Sequence, residues 1–269
     1  MDNPAVSKDV ELNINELDEE EIMLMKKQTG IEDTAELEKH IQDVVGRAYK
    51  VGSYRSLALH VCPQTFVHGP DGHDTRKAIS DGYPIHSMIA SDLEPEFWSL
   101  GHELFKSTPE TFPVPFIPGD IFDDAFVPDK EPVLDGPASK ERPTSLQSLT
   151  SLAPLQGHVS FIHASALFHL FQEEPQRKLA KKLASLLSPA SGSMIFGLQR
   201  GSVEPKEADN TRGENIFCHS AESWKELWIG ERGQGIFPPG MVEVQADLVQ
   251  PPYRLRVDGH MLVWSVKRI

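Results

Sequence analysis

The order of its segments limits what this chain can fold into more than any single motif does. From residue 73 onward, strand-like and helix-like stretches alternate. DTRKAISDG reads as a short helix closed by Gly82, SMIAS as a strand, EPEFWSLGHELFKS as a helix and VPFIPG as a second strand. GHVSFIHAS is a third strand, a helix runs from Pro175 to Leu187, and SGSMIFGLQ is a fourth strand. Strands separated by helices imply a parallel sheet with right-handed crossovers. The tail breaks the rhythm. AESWKELWIG is helical, while VEVQADLVQ and GHMLVWSVKR are strands with no helix between them, which predicts an antiparallel hairpin at the sheet's edge. The expected fold class is α/β, a doubly wound and mostly parallel sheet.

Helical periodicity fills in the faces. Phe97, Leu100, Leu104 and Phe105 form the inward side of one helix. Leu179, Leu183, Leu186 and Leu187 do the same in another, with Lys178, Lys181 and Lys182 expected in water. Ahead of the alternating region, Ile22, Met25 and Ile31 give way to Leu37, Ile41, Val44 and Val45. That amphipathic stripe is interrupted at Thr29-Gly30, and Asp33 or Thr34 suits the cap of a second helix. The division expected is a disordered acidic leader at 1–17, an N-terminal helical cap at 18–55 and an α/β domain at 56–269. A Pro-rich insertion at 128–157 interrupts that domain, and its polar first part, 128–143, is long enough to be mobile. SLQSLTSL, within it, suits one or two helical turns.

Composition narrows the function classes. The formal net charge is −14 and no basic stripe appears, so nucleic acid is not the expected partner. Cys62 and Cys218 are the only cysteines, too few for a disulfide framework or a four-cysteine zinc site. No apolar run approaches membrane-spanning length, and the acidic start lacks a signal peptide's basic and apolar regions, so a cytoplasmic protein without membrane contact is expected. No HExxH or GxSxG occurs, and the histidines, among them His60, His68 and His73, lack carboxylates at ligand spacing. No metal is expected.

The candidate site comes from strand ends, because ligands of open parallel sheets bind beyond the carboxyl ends of the strands. Asp92 follows SMIAS and suits either a ribose diol or the cap of the next helix. Asp120 follows VPFIPG and suits either an adenine amino group, with Ile121 and Phe122 over the ring, or a plain turn. The recurrence of the acid at equivalent strand ends favours a grip on a nucleoside. HGPDGHDTRKAISDG is a Gly-containing loop that opens a helix, where backbone N–H groups can hold a carboxylate or phosphate. Its Gly69 and Gly72 do not make a GxGxxG, which disfavours a nicotinamide cofactor. His163 stands at the end of the third strand, either in the site or as an ordinary edge histidine. With His169, it is the candidate base if the substrate must lose a proton. Phe168, Leu170 and Phe171 read as core.

Taken together, QTGIEDTAELEKHIQDVVGRAYKV, DTRKAISDGYP, ASDLEPEFWSLGHELFKSTPETFPVPFIPGDIFDD, VSFIHASALFHLF and LLSPASGSMIFGLQRG resemble class I S-adenosylmethionine-dependent methyltransferases, in particular fungal enzymes of meroterpenoid-type secondary metabolism. The resemblance runs from about residue 28 onward. It implies a Rossmann-like, seven-stranded sheet, S-adenosyl-L-methionine as cofactor and a small-molecule acceptor, with a homodimer left open. It also implies that Asp92 and Leu93 hold the ribose region, Asp120 and Ile121 the adenine, and His163 and Ala164 the region of transfer. Gly69, Gly72 and Asp74 would belong to the loop at the methionine end. The family's first motif has roughly the form LDxGCCFGxDxRK. Here Gly72, Asp74, Arg76 and Lys77 keep its second half, while Phe66 and His68 replace the acid and the first glycine. That departure leaves two readings, an active methyltransferase and a relative with impaired cofactor binding that acts as a binding or scaffold protein.

Overall fold

The computed structural model of the protein describes residues 17, 19–51, 73–136, 138, 141–209, 213–230, 234–250 and 259–269. Two helices come first, α1 (Glu19–Thr29) and α2 (Thr34–Val51). Gly30 ends α1 at φ +70°, a left-handed conformation that costs a glycine little. Asp33 Oδ1 accepts the Glu36 N–H at 2.9 Å and starts α2. Two further helices follow, α3 (His73–Ser80) and α4 (Pro95–Leu104). Leu37, Ile41, Val44 and Val45 of α2 are buried together with Phe97, Leu100, Leu104 and Phe105. His40 Nε2 donates to the Leu104 carbonyl at 3.0 Å, and Arg47 pairs with Glu103 at 2.6 Å across the same helix contact.

The main sheet contains β1 (Phe161–His163), β2 (Met194–Gly201), β5 (Val242–Val249) and β6 (His260–Arg268) in the order β1-β2-β6-β5. β1 and β2 are parallel, and β6 lies between β2 and β5 antiparallel to both. Helices α5 (Glu173–Leu186) and α6 (Ala221–Ile229) share one core with Ile195, Leu262, Trp264 and Val266 of the sheet. Trp224 and Trp228 of α6 pack against Trp264, and Phe168 meets Trp224 edge-on with ring centroids 4.9 Å apart. A Ser220–Ser223 capping box starts α6. The molecule is a mixed α/β protein.

Three details of secondary structure and burial differ from the sequence-based expectation. SMIAS and VPFIPG do not make full strands but meet at a single parallel bridge, Ala90 to Phe116. Pro115 and Pro118 bring no N–H to a ladder, and the Ser91 hydroxyl, 2.8 Å away, donates to the Ile117 carbonyl. Lys182 does not face water. It is fully buried, donating to the Val127 carbonyl at 2.5 Å and to Asp124 at 2.7 Å. A two-stranded antiparallel ribbon, β3 (Lys206–Asp209) with β4 (Asn215–Cys218), was not anticipated. β3 is mostly exposed, so it carries no apolar alternation to betray it. SLQSLTSL, in keeping with the expectation, makes one turn, Leu149 N to Leu146 O at 3.3 Å, ahead of a 3₁₀ turn at Ala153–Leu155.

The start of the Pro-rich connection, expected to be mobile, is pinned to the body. The Pro128 carbonyl accepts from Gln156 Nε2 at 2.8 Å, Glu131 pairs with Lys181 at 2.7 Å, and Arg268 Nη2 donates to the carbonyls of Val133 and Leu134 at 3.0 and 2.6 Å. Arg268 sits beside the start of β2, with its N–H on the Ser193 carbonyl at 2.8 Å. These anchors therefore lie at the amino ends of the parallel strands, away from the ends where a ligand is expected.

Candidate functional site

Asp92 and Asp120 are brought together by the backbone. Ala90 N donates to the Pro115 carbonyl at 3.0 Å, Ile117 N to the Ala90 carbonyl at 2.9 Å, and Gly119 N to the Asp92 carbonyl at 3.0 Å. Each acid then makes the same local turn. Asp92 Oδ1 accepts the Glu94 N–H at 2.9 Å, and Asp120 Oδ1 accepts the Phe122 N–H at 2.8 Å. These are Asx turns, in which a side chain takes the place of a backbone carbonyl. Asp92 is half-buried and Asp120 exposed. The cap residue of α4 is Glu94, so Asp92 is not the N-cap but shapes the approach to it. Leu93 is 59% exposed beside it. Gly119 has no room for a side chain, since a Cβ there would run into the Phe126 ring. Ile121 and Phe122 pack against the large core. Phe122 also meets Phe171 edge-on, with centroids 5.0 Å apart, which ties the Asp120 turn to the loop after β1.

That loop holds the other candidates. The His163 ring stacks on Phe196 with centroids 5.1 Å apart, and its Nε2 lies 2.6 Å from Ser165 Oγ. Ala164 is buried, and its N–H donates to the Phe196 carbonyl at 2.9 Å. Its own carbonyl is 2.5 Å from where a Cβ on Gly197 would sit, so β2 needs glycine at that point. Ser165 Oγ accepts the Leu198 N–H at 3.0 Å. At Ala166 the chain turns with φ +51°, a left-handed conformation costly for a residue with a side chain.

His169 sits in the 3₁₀ turn Phe168–Leu170. Its Nδ1 is buried and has no hydrogen-bond partner among the described residues. Burial, reinforced by the Arg200 charge, brings its pKa down to about 4. The imidazole is therefore neutral at neutral pH, and so low a pKa makes it a weak base. Of the residues expected to be core, Phe168 is fully buried, while Leu170 and Phe171 are half-buried. The ribbon locks onto this loop through Phe217 N to the Phe171 carbonyl at 2.9 Å. Gln176 Nε2 bridges the carbonyls of Phe171 and Phe217 at 2.9 and 2.8 Å.

Gly69 and Gly72 lie outside the described residues. Asp74 is described only as part of the α3 backbone. Arg76, in the same helix, is buried with its guanidinium 4.5 Å from the Phe105 ring centre and 3.8 Å from that of Phe112. Its Nη2 donates to Ser107 Oγ at 2.7 Å. Arg76 thus anchors α3 to the end of α4. Sequence reasoning missed Ser165 and Phe196 as partners of His163 and Phe171 as the partner of Phe122. The only signal for Ser165 was a small polar residue just past a strand end. A groove of about 430 Å³ lined by Asp135, Gly157, His158, Ser188 and Pro189 lies elsewhere, at the amino ends of β1 and β2. No helix among the described residues is long and apolar enough to cross a membrane.

Residues 10–59, which include α1 and α2, match the meroterpenoid methyltransferase N-terminal domain. The chain is 29% identical over 159 residues to O-methyltransferase phiE from a Fungal sp., covering 58% of this chain and 45% of that protein. It is 28% identical over 159 residues to methyltransferase adrK of Penicillium rubens, covering 58% and 48%. It is 27% identical over 158 residues to the Asnovolin E/Chermesin D methyltransferase nvfJ of Aspergillus novofumigatus, again covering 58% and 48%. Among solved structures, the Burkholderia thailandensis 1,6-didemethyltoxoflavin-N1-methyltransferase is a loose likeness, with a TM-score of 0.47, 15% identity, and 75% and 68% of the two chains covered. The chain spans about half the length of the curated relatives it matches. By sequence it is similar to the meroterpenoid methyltransferase N-terminal domain over residues 10–59 and to fungal methyltransferases over about 159 residues.

Proposed function

We propose that this chain transfers a methyl group from S-adenosyl-L-methionine to a small-molecule acceptor in fungal secondary metabolism. The observation that carries the reading is the Gly119 N–H to Asp92 carbonyl bond, which sets two carboxylate-bearing turns side by side just past the Ala90–Phe116 bridge. Two acceptor groups so placed fit a nucleoside, whose ribose diol and exocyclic amine are donors. In this assignment Asp92 and Leu93 take the ribose side and Asp120 and Ile121 the adenine side. Phe122 supports the Asp120 turn from the large core. His163 and Ala164 border the region of transfer, with Gly69, Gly72 and Asp74 assigned to the methionine end.

When bound, the cofactor supplies the sulfonium methyl for an in-line displacement. The chain's part is to align two reactants and exclude water, effects whose worth reaches several orders of magnitude in rate. His163 is held by Phe196 and Ser165 and orients a polar group. His169 is neutral and takes up a proton only from a strongly acidic donor. The parent fold we assign is the Rossmann-like, seven-stranded sheet of class I methyltransferases. It accounts for the parallel β1–β2 pair and for a reversed β6 between β2 and β5. We assign residues 18–55 as a cap on the acceptor side, residues 1–17 as a leader and residues 56–269 as the cofactor-binding domain. The competing reading, a relative with impaired cofactor binding, rests on Phe66 and His68, both outside the described residues.

Thermal unfolding with S-adenosylhomocysteine and with NAD tests the assignment. A ligand at a hundred times its Kd stabilises the native state by about 2.7 kcal/mol, so a saturable rise in Tm with S-adenosylhomocysteine alone is expected. No rise at millimolar S-adenosylhomocysteine, or an equal rise with NAD, contradicts it.

A further inference from the structure

We infer that Lys182 is a positioning residue for the adenine side of the site, holding the Asp120 turn from inside α5 and so setting how well the chain tells an amino-purine from an oxo-purine. The purine part of the inference rests on the functional reading proposed above. Lys182 falls at core spacing with Leu179, Leu183 and Leu186 and is fully buried, whereas Lys178 on the same helix is exposed. A buried charge is costly unless it is paired and hydrogen-bonded, and an apolar side chain of similar volume often serves stability as well or better. What a lysine adds here is a fixed pair of bonds. Its Nζ donates to the Val127 carbonyl at 2.5 Å and to Asp124 Oδ1 at 2.7 Å. Both acceptors belong to the segment that begins with the Asp120 turn. Asp123 N donates to the Asp120 carbonyl at 3.0 Å, and Phe126 N and Val127 N both donate to the Asp123 carbonyl, at 3.0 and 2.9 Å. The Phe126 ring closes the segment by packing where a side chain on Gly119 would stand. Residues 120–127 therefore form one hydrogen-bonded unit, with Asp120 at one end and the Lys182 contacts at the other. Just beyond it, Gln156 Nε2 donates to the Pro128 carbonyl at 2.8 Å and to Ser185 Oγ of α5 at 3.0 Å, which extends the hold of that helix. Asp120 Oδ1 accepts the Phe122 N–H at 2.8 Å, so the carboxylate is oriented within this unit. The direction in which it meets a ligand amine thus depends on the unit that Lys182 holds.

Acetic anhydride footprinting of the wild-type chain, read by mass spectrometry, checks the burial first. Lys178 is expected to be modified and Lys182 protected; equal modification of the two overturns the inference whatever the variants do. Hydrogen exchange then reads the turn without ligand. Lys182→Met fills the buried volume but makes neither bond, and the amides of Phe126 and Val127 are expected to exchange about tenfold faster in it, with those of β2 and β6 unchanged. Asp124→Ala leaves Lys182 only the Val127 carbonyl and is expected to show the same change at about threefold. Unchanged turn amides in either folded variant overturn the inference. Isothermal titration with S-adenosylhomocysteine and with S-inosylhomocysteine, which carries an oxo group in place of the amine, reads the consequence. The wild-type chain is expected to prefer the amine by about tenfold, the scale of one hydrogen bond, and Lys182→Met to lose most of that preference. An unchanged preference in a folded Lys182→Met, whatever its overall affinity, overturns the positioning role, and so do equal affinities in the wild-type chain. No binding of either compound by the wild-type chain removes the methyltransferase reading and leaves the hold of Lys182 on the turn to the exchange result.

Discussion

The sheet side and the helix side of this molecule bury comparable side chains by different means. On the sheet side, β6 pairs along its whole length with β2 and β5, and three tryptophans from α6 and β6 interlock beneath it. On the helix side, α1, α2 and α4 enclose Met25, Leu37, Ile41 and Phe97 without a strand among them. A third, small cluster of Ala90, Trp98, Phe112 and Val114 adjoins the Asp92 turn in sequence. The Asp120 turn instead leans on the large core through Ile121 and Phe122. The two halves of the proposed adenosine grip are therefore founded on different cores and joined by main-chain bonds at Ala90, Ile117 and Gly119. A site built at such a seam is sensitive to either side.

The largest effect separating the two sides should come from the tryptophans. Trp224→Ala empties a fully buried position and should cost about 4 kcal/mol, read as a lower urea midpoint by tryptophan fluorescence. Ile41→Ala in the helix core should cost about 3 kcal/mol, with helix loss by far-ultraviolet dichroism at least as early as the fluorescence change. A larger cost at Ile41 than at Trp224 would reverse the comparison.

Acid should weaken the sheet side selectively. His169 and His219, both packed there, have pKa values brought down to about 4, in each case first by burial and then by a nearby arginine, Arg200 or Arg177. Their ordinary value is 6.5, so the folded state favours the neutral ring. Their contribution is complete above the unfolded value and is lost as pH falls from there toward the folded one. Together the loss should be on the order of a few kcal/mol by about pH 4, and a His169→Gln, His219→Gln double variant should flatten it. An unchanged pH slope in that variant would assign the acid sensitivity elsewhere.

The smallest stability effects belong to the acids themselves. Asp92→Ala and Asp120→Ala each remove one Asx-turn bond and should cost about 1 kcal/mol or less, with the half-buried Asp92 the more expensive. A cost of several kcal/mol at either would make these carboxylates structural before anything else.

The sequence disclosed much of this where pattern and packing coincide. The faces of α2, α4 and α5 were legible because buried leucines and phenylalanines recur at helical spacing. β2 and β6 were legible as largely apolar runs, and β5 by its alternation of apolar and polar residues. The failures have equally local causes. Pro115 and Pro118 left SMIAS and VPFIPG with one bridge, because apolar character promises burial but not N–H donors. Lys182 looked solvated because its partners, Asp124 and the Val127 carbonyl, lie more than fifty residues away. β3 was invisible because an exposed polar strand has no apolar period. In the site, the acids were named from their place after apolar runs. The Ser165 contact to His163 was not, since it depends on where β2 presents the Leu198 N–H.

The central claim is that the Asp92 and Asp120 turns together hold an adenosine. Isothermal titration of S-adenosylmethionine into the wild-type chain and Asp92→Ala tests it most directly. The account predicts saturable binding by the wild type and a loss of about tenfold or more in the variant, with its fold retained. No heat of binding at millimolar cofactor, or equal affinity in both proteins, would contradict it.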